Sequence, residues 1–130
     1  VKNQTYELLK VSKAAIVSSG TATLETAIIG TPQVVCYKTN FFTYQIAKRL
    51  VKLKFISLVN LISNKKIVEE LIQKKFTVDN LSIALKKILS EKNQNTLKKE
   101  YLKLISKLGV RSASKTTARL IINSINQKNN

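Results

Sequence analysis

Ser18-Ser19-Gly20-Thr21-Ala22-Thr23-Leu24-Glu25-Thr26-Ala27 is the stretch on which the reading of this chain turns. Ahead of it, Ala14-Ala15-Ile16-Val17 is a short apolar run, long enough for one buried strand. Behind it, Ala22 to Ile29 reads as a helix that stops at Gly30, with Pro32 just beyond as a second stop signal. Gln33-Val34-Val35-Cys36-Tyr37 follows, a β-branched run of strand length. Strand, small-residue turn, helix, strand is a βαβ unit, and its turn opens the helix at the carboxyl end of the first strand. Open parallel sheets bind ligands at that edge.

The residue types in this turn suit an anion. Gly20 permits close backbone approach, and Ser19 or Thr21 can cap the helix with a side-chain oxygen. The first N–H groups of the helix then face an anion, favoured by the positive end of the dipole. Glu25 lies about one turn further in, where its carboxylate can accept two hydrogen bonds from a vicinal diol such as a ribose. An anion site beside a diol acceptor suits a nucleoside diphosphate. The same spacing also fits an ordinary capped helix with a solvated Glu, and the residues alone leave both open.

Composition narrows the classes. The 130 residues make one domain's worth of chain, 44% hydrophobic and 23% charged, within the range of soluble globular proteins. No apolar run approaches the ~18 residues of a membrane span, and no signal peptide opens the chain. The chain starts at Val1, inside what reads as a helix over Thr5 to Ser12, so a piece of a longer protein is expected. Its single cysteine, Cys36, excludes an intrachain disulfide and reads as a small buried hydrophobe within the second strand. The absence of His removes His-based nucleophile activation and most zinc sites; no metal and no cofactor is expected. The formal charge is +16, from 23 Lys and Arg against 7 Asp and Glu. Such a surplus attracts phosphates of nucleic acid or lipid. Arg49, Arg111 and Arg119 are the only arginines among many Lys, Asn and Ile, so AT-rich codon usage accounts for part of it.

Further along, Thr39-Asn40 opens a helix from Phe41 to about Leu53. Phe42, Ile46, Leu50 and Leu53 form one stripe, and Phe41, Tyr44, Lys48 and Lys52 gather on another side. The second face suits an anionic membrane surface as well as it suits a solvated face packed on a neighbour. Phe55 to Asn60 reads as a strand or extended segment, and Lys65 to Lys75 as a short amphipathic helix carrying Ile67, Val68, Leu71 and Ile72. Thr77 or Asp79 caps another helix with Leu81, Leu85, Ile88 and Leu89 inward. A further helix over Asn93 to Leu108 carries Leu97, Tyr101, Leu104, Ile105 and Leu108 and closes at Gly109; a last one covers roughly Ser112 to Asn126. The expected architecture is α/β, a Rossmann-like parallel sheet with helices followed by a helical region. The domain expected over residues 1–110 is incomplete at its amino end, and residues 111–130 form a terminal helix and frayed tail.

The residues now in view resemble a family. Ser19-Gly20-Thr21-Ala22-Thr23-Leu24-Glu25, then Gly30-Thr31-Pro32, Val34-Val35 and Tyr37-Lys38 follow the pattern of lipid-A-disaccharide synthase. So do Thr43-Tyr44, Ile46 to Lys52, Ile56-Ser57-Leu58 ending at Asn60, and Glu69-Glu70-Leu71-Ile72-Gln73. The resemblance implies the carboxy-terminal, donor-binding half of a two-domain GT-B glycosyltransferase, inverting and metal-independent. Such an enzyme transfers 2,3-diacylglucosamine from UDP to 2,3-diacylglucosamine 1-phosphate in lipid A biosynthesis. Carried over by position, Ser19, Gly20 and Thr21 line the diphosphate and Glu25 takes the ribose hydroxyls. Asn60 is a polar contact near the donor, and Tyr37 and Lys38 reach the cleft. The implied setting is cytoplasmic, peripheral on the inner membrane of a Gram-negative bacterium, with the Phe41, Tyr44, Lys48 and Lys52 face on the lipid and a homodimer left open.

This chain departs from the family pattern at Val59 and Phe41, where Pro is usual, and at Ser63-Asn64, where Ala-Gly is usual. No general base is identifiable, and the 130 residues alone are expected to be inactive. Two other readings share the features. Another GT-B transferase of a UDP-aminosugar, or a UDP-sugar epimerase, would keep the Glu25 turn. A basic nucleic-acid-binding module would explain the charge, but no helix concentrates Arg and no stacking sheet is evident, so nucleic acid is not an expected partner.

Overall fold

The structure, a computed structural model, describes residues 4–39 and 54–109. The apolar runs on either side of the Gly20 turn become β1 (Ala15–Ser18) and β2 (Gln33–Tyr37), joined by α2 (Thr21–Ile29). A short helix, α1 (Thr5–Val11), precedes them. β1 and β2 run parallel, with Ile16 opposite Val34 and Ser18 opposite Cys36. Gly30 ends α2 in the left-handed region at φ 96°, the usual role of a glycine just past a helix. Thr31 then donates from Oγ1 to the Leu9 carbonyl at 2.7 Å, tying α1 to the turn before β2.

β2 is the central strand. Val34 and Val35 project to opposite faces, and both are fully buried. A strand covered on two faces reads as a continuous apolar run, which is why Gln33 to Tyr37 lacks alternation. Cys36 is buried, and burial raises its thiol pKa. The reading as a small hydrophobe holds.

Two expectations from periodicity are corrected. Lys65 to Lys75 does not form a helix: Glu69–Ile72 is β3, parallel to β2 with Val34 opposite Glu69 and Tyr37 opposite Ile72, followed by a 3₁₀ turn over Gln73–Lys75. Apolar residues at 67, 68, 71 and 72 fit either element locally. The free edge of β2 decides it, because its backbone groups need a ladder partner. Phe55 to Asn60 is likewise not a strand. Ser57 is the N-cap of a one-and-a-half-turn helix, α3 (Leu58–Ser63), its Oγ accepting from the Asn60 N–H at 3.3 Å.

α4 (Val78–Leu89) is capped by Thr77, whose hydroxyl accepts from the Asn80 N–H. It packs on β2 and β3 through buried Ala84 and Ile88. Leu89, expected inward, is about half exposed, since it lies on the last turn beyond the covered sheet. Ser90 breaks the chain before α5 (Glu91–Leu108). Leu97, Tyr101 and Leu104 of α5 form the buried stripe at helical spacing, and Gly109 closes the helix at φ 63°. Gln33, fully buried, donates from Nε2 to the Thr23 carbonyl at 2.8 Å and to the Tyr101 hydroxyl at 3.5 Å. One polar side chain thus joins β2, α2 and α5. The result is a three-stranded parallel α/β sheet in the order β1-β2-β3 with helices against it. The expected helices over residues 41–53 and 112–126 lie outside the described residues.

Candidate functional site

The carboxyl ends of the three parallel strands form one edge of the sheet. At the end of β1, Gly20 is the N-cap of α2 with φ 153° and ψ −163°. That conformation is essentially confined to glycine, whereas a Cβ there would meet nothing within 4 Å. The backbone angle, rather than crowding, therefore fixes the residue type. The expected side-chain cap is absent: neither Ser19 nor Thr21 caps α2, and its first turn holds no acidic residue. Ser19 instead donates from Oγ to the Ile56 carbonyl at 3.1 Å, fastening the turn to the segment before α3. Thr21 and Ala22 are exposed. Among the described residues no side chain caps the positive end of α2, and anions are stabilised at such an end.

Glu25 is half-buried one turn on. Its Oε2 accepts a hydrogen bond from the Tyr6 hydroxyl at 3.0 Å. That bond, and the negative charge behind it, raise the Tyr6 phenol pKa. Tyr6 was not legible as a site residue, because nothing in sequence links α1 to a carboxylate 19 positions away.

Asn60, in α3, lies beside the amino end of β3 and is fully buried. Its Oδ1 accepts from the Ile67 N–H at 2.7 Å and the Val68 N–H at 3.0 Å. Its Nδ2 donates to the Val68 carbonyl at 2.9 Å and to Glu70 Oε1 at 2.8 Å. Both donors and both lone pairs are thus engaged within the chain. Glu70 Oε1 also accepts from the Ser57 N–H at 2.9 Å and the Ser57 hydroxyl at 2.6 Å, while Oε2 accepts from the Ile56 N–H at 3.1 Å. A carboxylate from β3 thereby sits at the start of α3 and pins the 56–60 segment to the sheet. The sequence signal for it was the Glu69-Glu70-Leu71-Ile72-Gln73 match, which carried no role.

Beyond β2 and β3 an open cleft of about 900 Å³ is lined by Lys38, Thr39, Phe55, Ile72, Gln73 and Phe76, with further lysines and Glu69, Glu70 and Asn60. Lys38 lines it and is exposed. Tyr37 is half-buried at the end of β2 and is not among the lining residues. Phe41, Tyr44, Lys48 and Lys52 lie outside the described residues. Among the described residues no group of His, Cys, Asp or Glu is arranged to hold a metal ion, and no helix is long and apolar enough to cross a membrane.

A parallel sheet whose first crossover helix starts uncapped at a glycine, with a carboxylate one turn in, defines a Rossmann-like half fold with its ligand edge at the strand ends. The family model for lipid-A-disaccharide synthetase matches residues 1–123. A lipid-A-disaccharide synthase of Psychromonas ingrahamii is 39% identical over 125 residues, 96% of this chain and 32% of the relative. One of Sulfurihydrogenibium sp. is 37% identical over 121 residues, 92% of this chain and 31% of the relative. One of Aquifex aeolicus is 51% identical over 69 residues, 53% of this chain and 19% of the relative. The chain belongs to the lipid-A-disaccharide synthase family. It spans about a third of the length of the first two relatives.

Proposed function

We propose that this chain is the donor-binding part of a hexosyltransferase that makes the lipid A disaccharide, transferring 2,3-diacylglucosamine from UDP to 2,3-diacylglucosamine 1-phosphate. The observation that carries the reading is the uncapped start of α2 behind Gly20, with Glu25 one turn in. In this account the Gly20, Thr21 and Ala22 backbone approaches the diphosphate, and the Glu25 carboxylate takes the ribose hydroxyls. Ser19 positions the turn through its bond to Ile56. Lys38 adds positive charge nearby and Tyr37 supports the end of β2.

The transfer is inverting and metal-independent. An acceptor hydroxyl oxygen attacks the anomeric carbon, the bond from that carbon to the diphosphate oxygen breaks, and UDP leaves with the electron pair. The charge that develops on the diphosphate faces the positive end of α2, where fixed dipoles stabilise it without reorganisation. The general base that takes the acceptor proton comes from a part of the full-length enzyme outside this chain. Asn60 acts through position: it holds the 56–60 segment against β3 rather than touching the donor, because its amide is fully used. The sequence spacing of Phe41, Tyr44, Lys48 and Lys52 supports a contact of this segment with the anionic membrane where both lipid substrates reside.

The test is transfer by the full-length protein, purified and supplied with both lipid substrates. Disaccharide and UDP should form in equal amounts without added divalent metal. A protein that hydrolyses the donor, or epimerises it, with no disaccharide would overturn the reading.

A further inference from the structure

We propose that the cleft beyond β2 and β3 is a phosphate-monoester site in which the Gln73 side-chain amide is the directional donor and Lys38, Lys74 and Lys75 supply charge. Gln73 carries two independent signs of a functional position. It holds a left-handed backbone at φ 51° although it is not glycine, a conformation that persists where the surroundings impose it. Its Nε2 is buried and has no hydrogen-bond partner among the described residues, while Oε1 accepts from the Thr39 N–H at 3.3 Å. A backbone N–H can only donate, so the atom that faces it is the oxygen and the free atom is the NH₂ group. A buried amide donor left open is costly unless something accepts from it.

The cleft around it is built for an anion. Five lysines line it against two glutamates, and both glutamates are occupied. Glu69 is paired with Lys66 at 2.6 Å, and Glu70 accepts from Ile56, Ser57 and Asn60. Lys38, Lys74 and Lys75 have no carboxylate partner among the described residues. Phe55, Ile72 and Phe76 give the same cleft an apolar wall, so the phosphate it fits is one carried on a larger, less polar body. None of Ser19, Gly20, Thr21 or Glu25 lines it, so the site is separate from the start of α2. Only the source of the phosphate, a sugar 1-phosphate, rests on the proposed function.

The experiment is titration of the full-length protein with glucosamine 1-phosphate by calorimetry at fixed salt, with UDP and phosphatidylglycerol vesicles as separate arms. Gln73→Glu keeps the size and the bond to Thr39 but replaces the open donor with an acceptor. It should weaken glucosamine 1-phosphate about tenfold or more and leave UDP affinity unchanged. The Lys74→Ala/Lys75→Ala pair should weaken it several-fold. Lys98→Ala/Lys99→Ala, which removes the same charge from exposed positions on α5, should not. Equal loss in the two lysine pairs would reduce the effect to overall charge and overturn the site, as would wild-type affinity in Gln73→Glu. If Gln73→Glu instead weakens vesicle binding while glucosamine 1-phosphate is unaffected, the monoester assignment is overturned in favour of a lipid headgroup.

Discussion

Asn60→Asp changes no volume, yet it should be among the most damaging single-atom changes in this chain. The native amide donates to Glu70 Oε1 at 2.8 Å and to the Val68 carbonyl at 2.9 Å. An ionised Asp would present an oxygen to both, leaving two buried acceptors facing a third. Each buried polar group so stranded costs about 1–3 kcal/mol. Two carboxylate oxygens at that separation repel by up to about 6 kcal/mol at an effective dielectric of 20. Protonation of the new Asp limits the loss, so a net destabilisation of about 3–5 kcal/mol at pH 7 is expected. The pH dependence carries the signature. The folded-state pKa of the new Asp is raised above its unfolded value, so the stability it retains is present below the unfolded pKa and is lost as pH rises through the folded pKa. Urea unfolding of wild type and Asn60→Asp should therefore show a gap that widens from pH 5 to pH 7. Asn60→Ala, which removes the amide but adds no charge, should be destabilised without that dependence. A gap for Asn60→Asp under 1 kcal/mol, or one independent of pH, would refute the claim that this amide is spent on the chain's own backbone and on Glu70.

Three further outcomes follow from single contacts. Gly20→Ala should lose about 1–3 kcal/mol of stability because its φ of 153° excludes a side chain, and UDP affinity should fall with it; calorimetry and thermal melts report both. Tyr6→Phe should leave the melting temperature unchanged, as expected of an exposed position, but weaken UDP several-fold by removing the hydrogen bond that orients the Glu25 carboxylate; equal affinity would remove Tyr6 from the site. Burial pushes the Tyr101 phenol pKa up to about 12 from 10.0, so the stability it contributes is full below pH 10 and is lost as pH rises toward 12. That amounts to about 3 kcal/mol, and Tyr101→Phe should unfold with a correspondingly shallower alkaline slope.

The part of the fold visible in the sequence was the part with local signals. β1, α2 and β2 were bounded by a glycine turn, a glycine stop and a proline, and the residues between them had one reading. Thr77 and Gly109 marked the ends of α4 and α5 in the same way. β3 and α3 were missed because their apolar spacing fits helix and strand alike, and the choice was made by the unpaired edge of β2 and by Glu70 at the start of α3. The site divided along the same line. Gly20 and Glu25 announced themselves through a turn and a helical spacing. Tyr6, Gln33, Glu70 and Gln73 act through partners 10 to 68 positions away, and no local pattern encodes such contacts. Asn60 was singled out by resemblance, and its hydrogen bonds turn inward to Ile67, Val68 and Glu70, partners that no local pattern encodes.

The central claim is that Glu25 reads the ribose of a nucleotide whose diphosphate lies at the start of α2. It is tested most directly by comparing UDP with 2′-deoxy-UDP on the full-length protein, wild type and Glu25→Ala, by calorimetry. Hydrogen bonds to a charged group are worth about 1.5–3 kcal/mol, tenfold to a hundredfold in affinity. Wild type should prefer UDP by a factor in that range, and Glu25→Ala should bind both ligands equally weakly. A Glu25→Ala protein that still prefers the ribose hydroxyl would contradict the account and assign that contact to another residue.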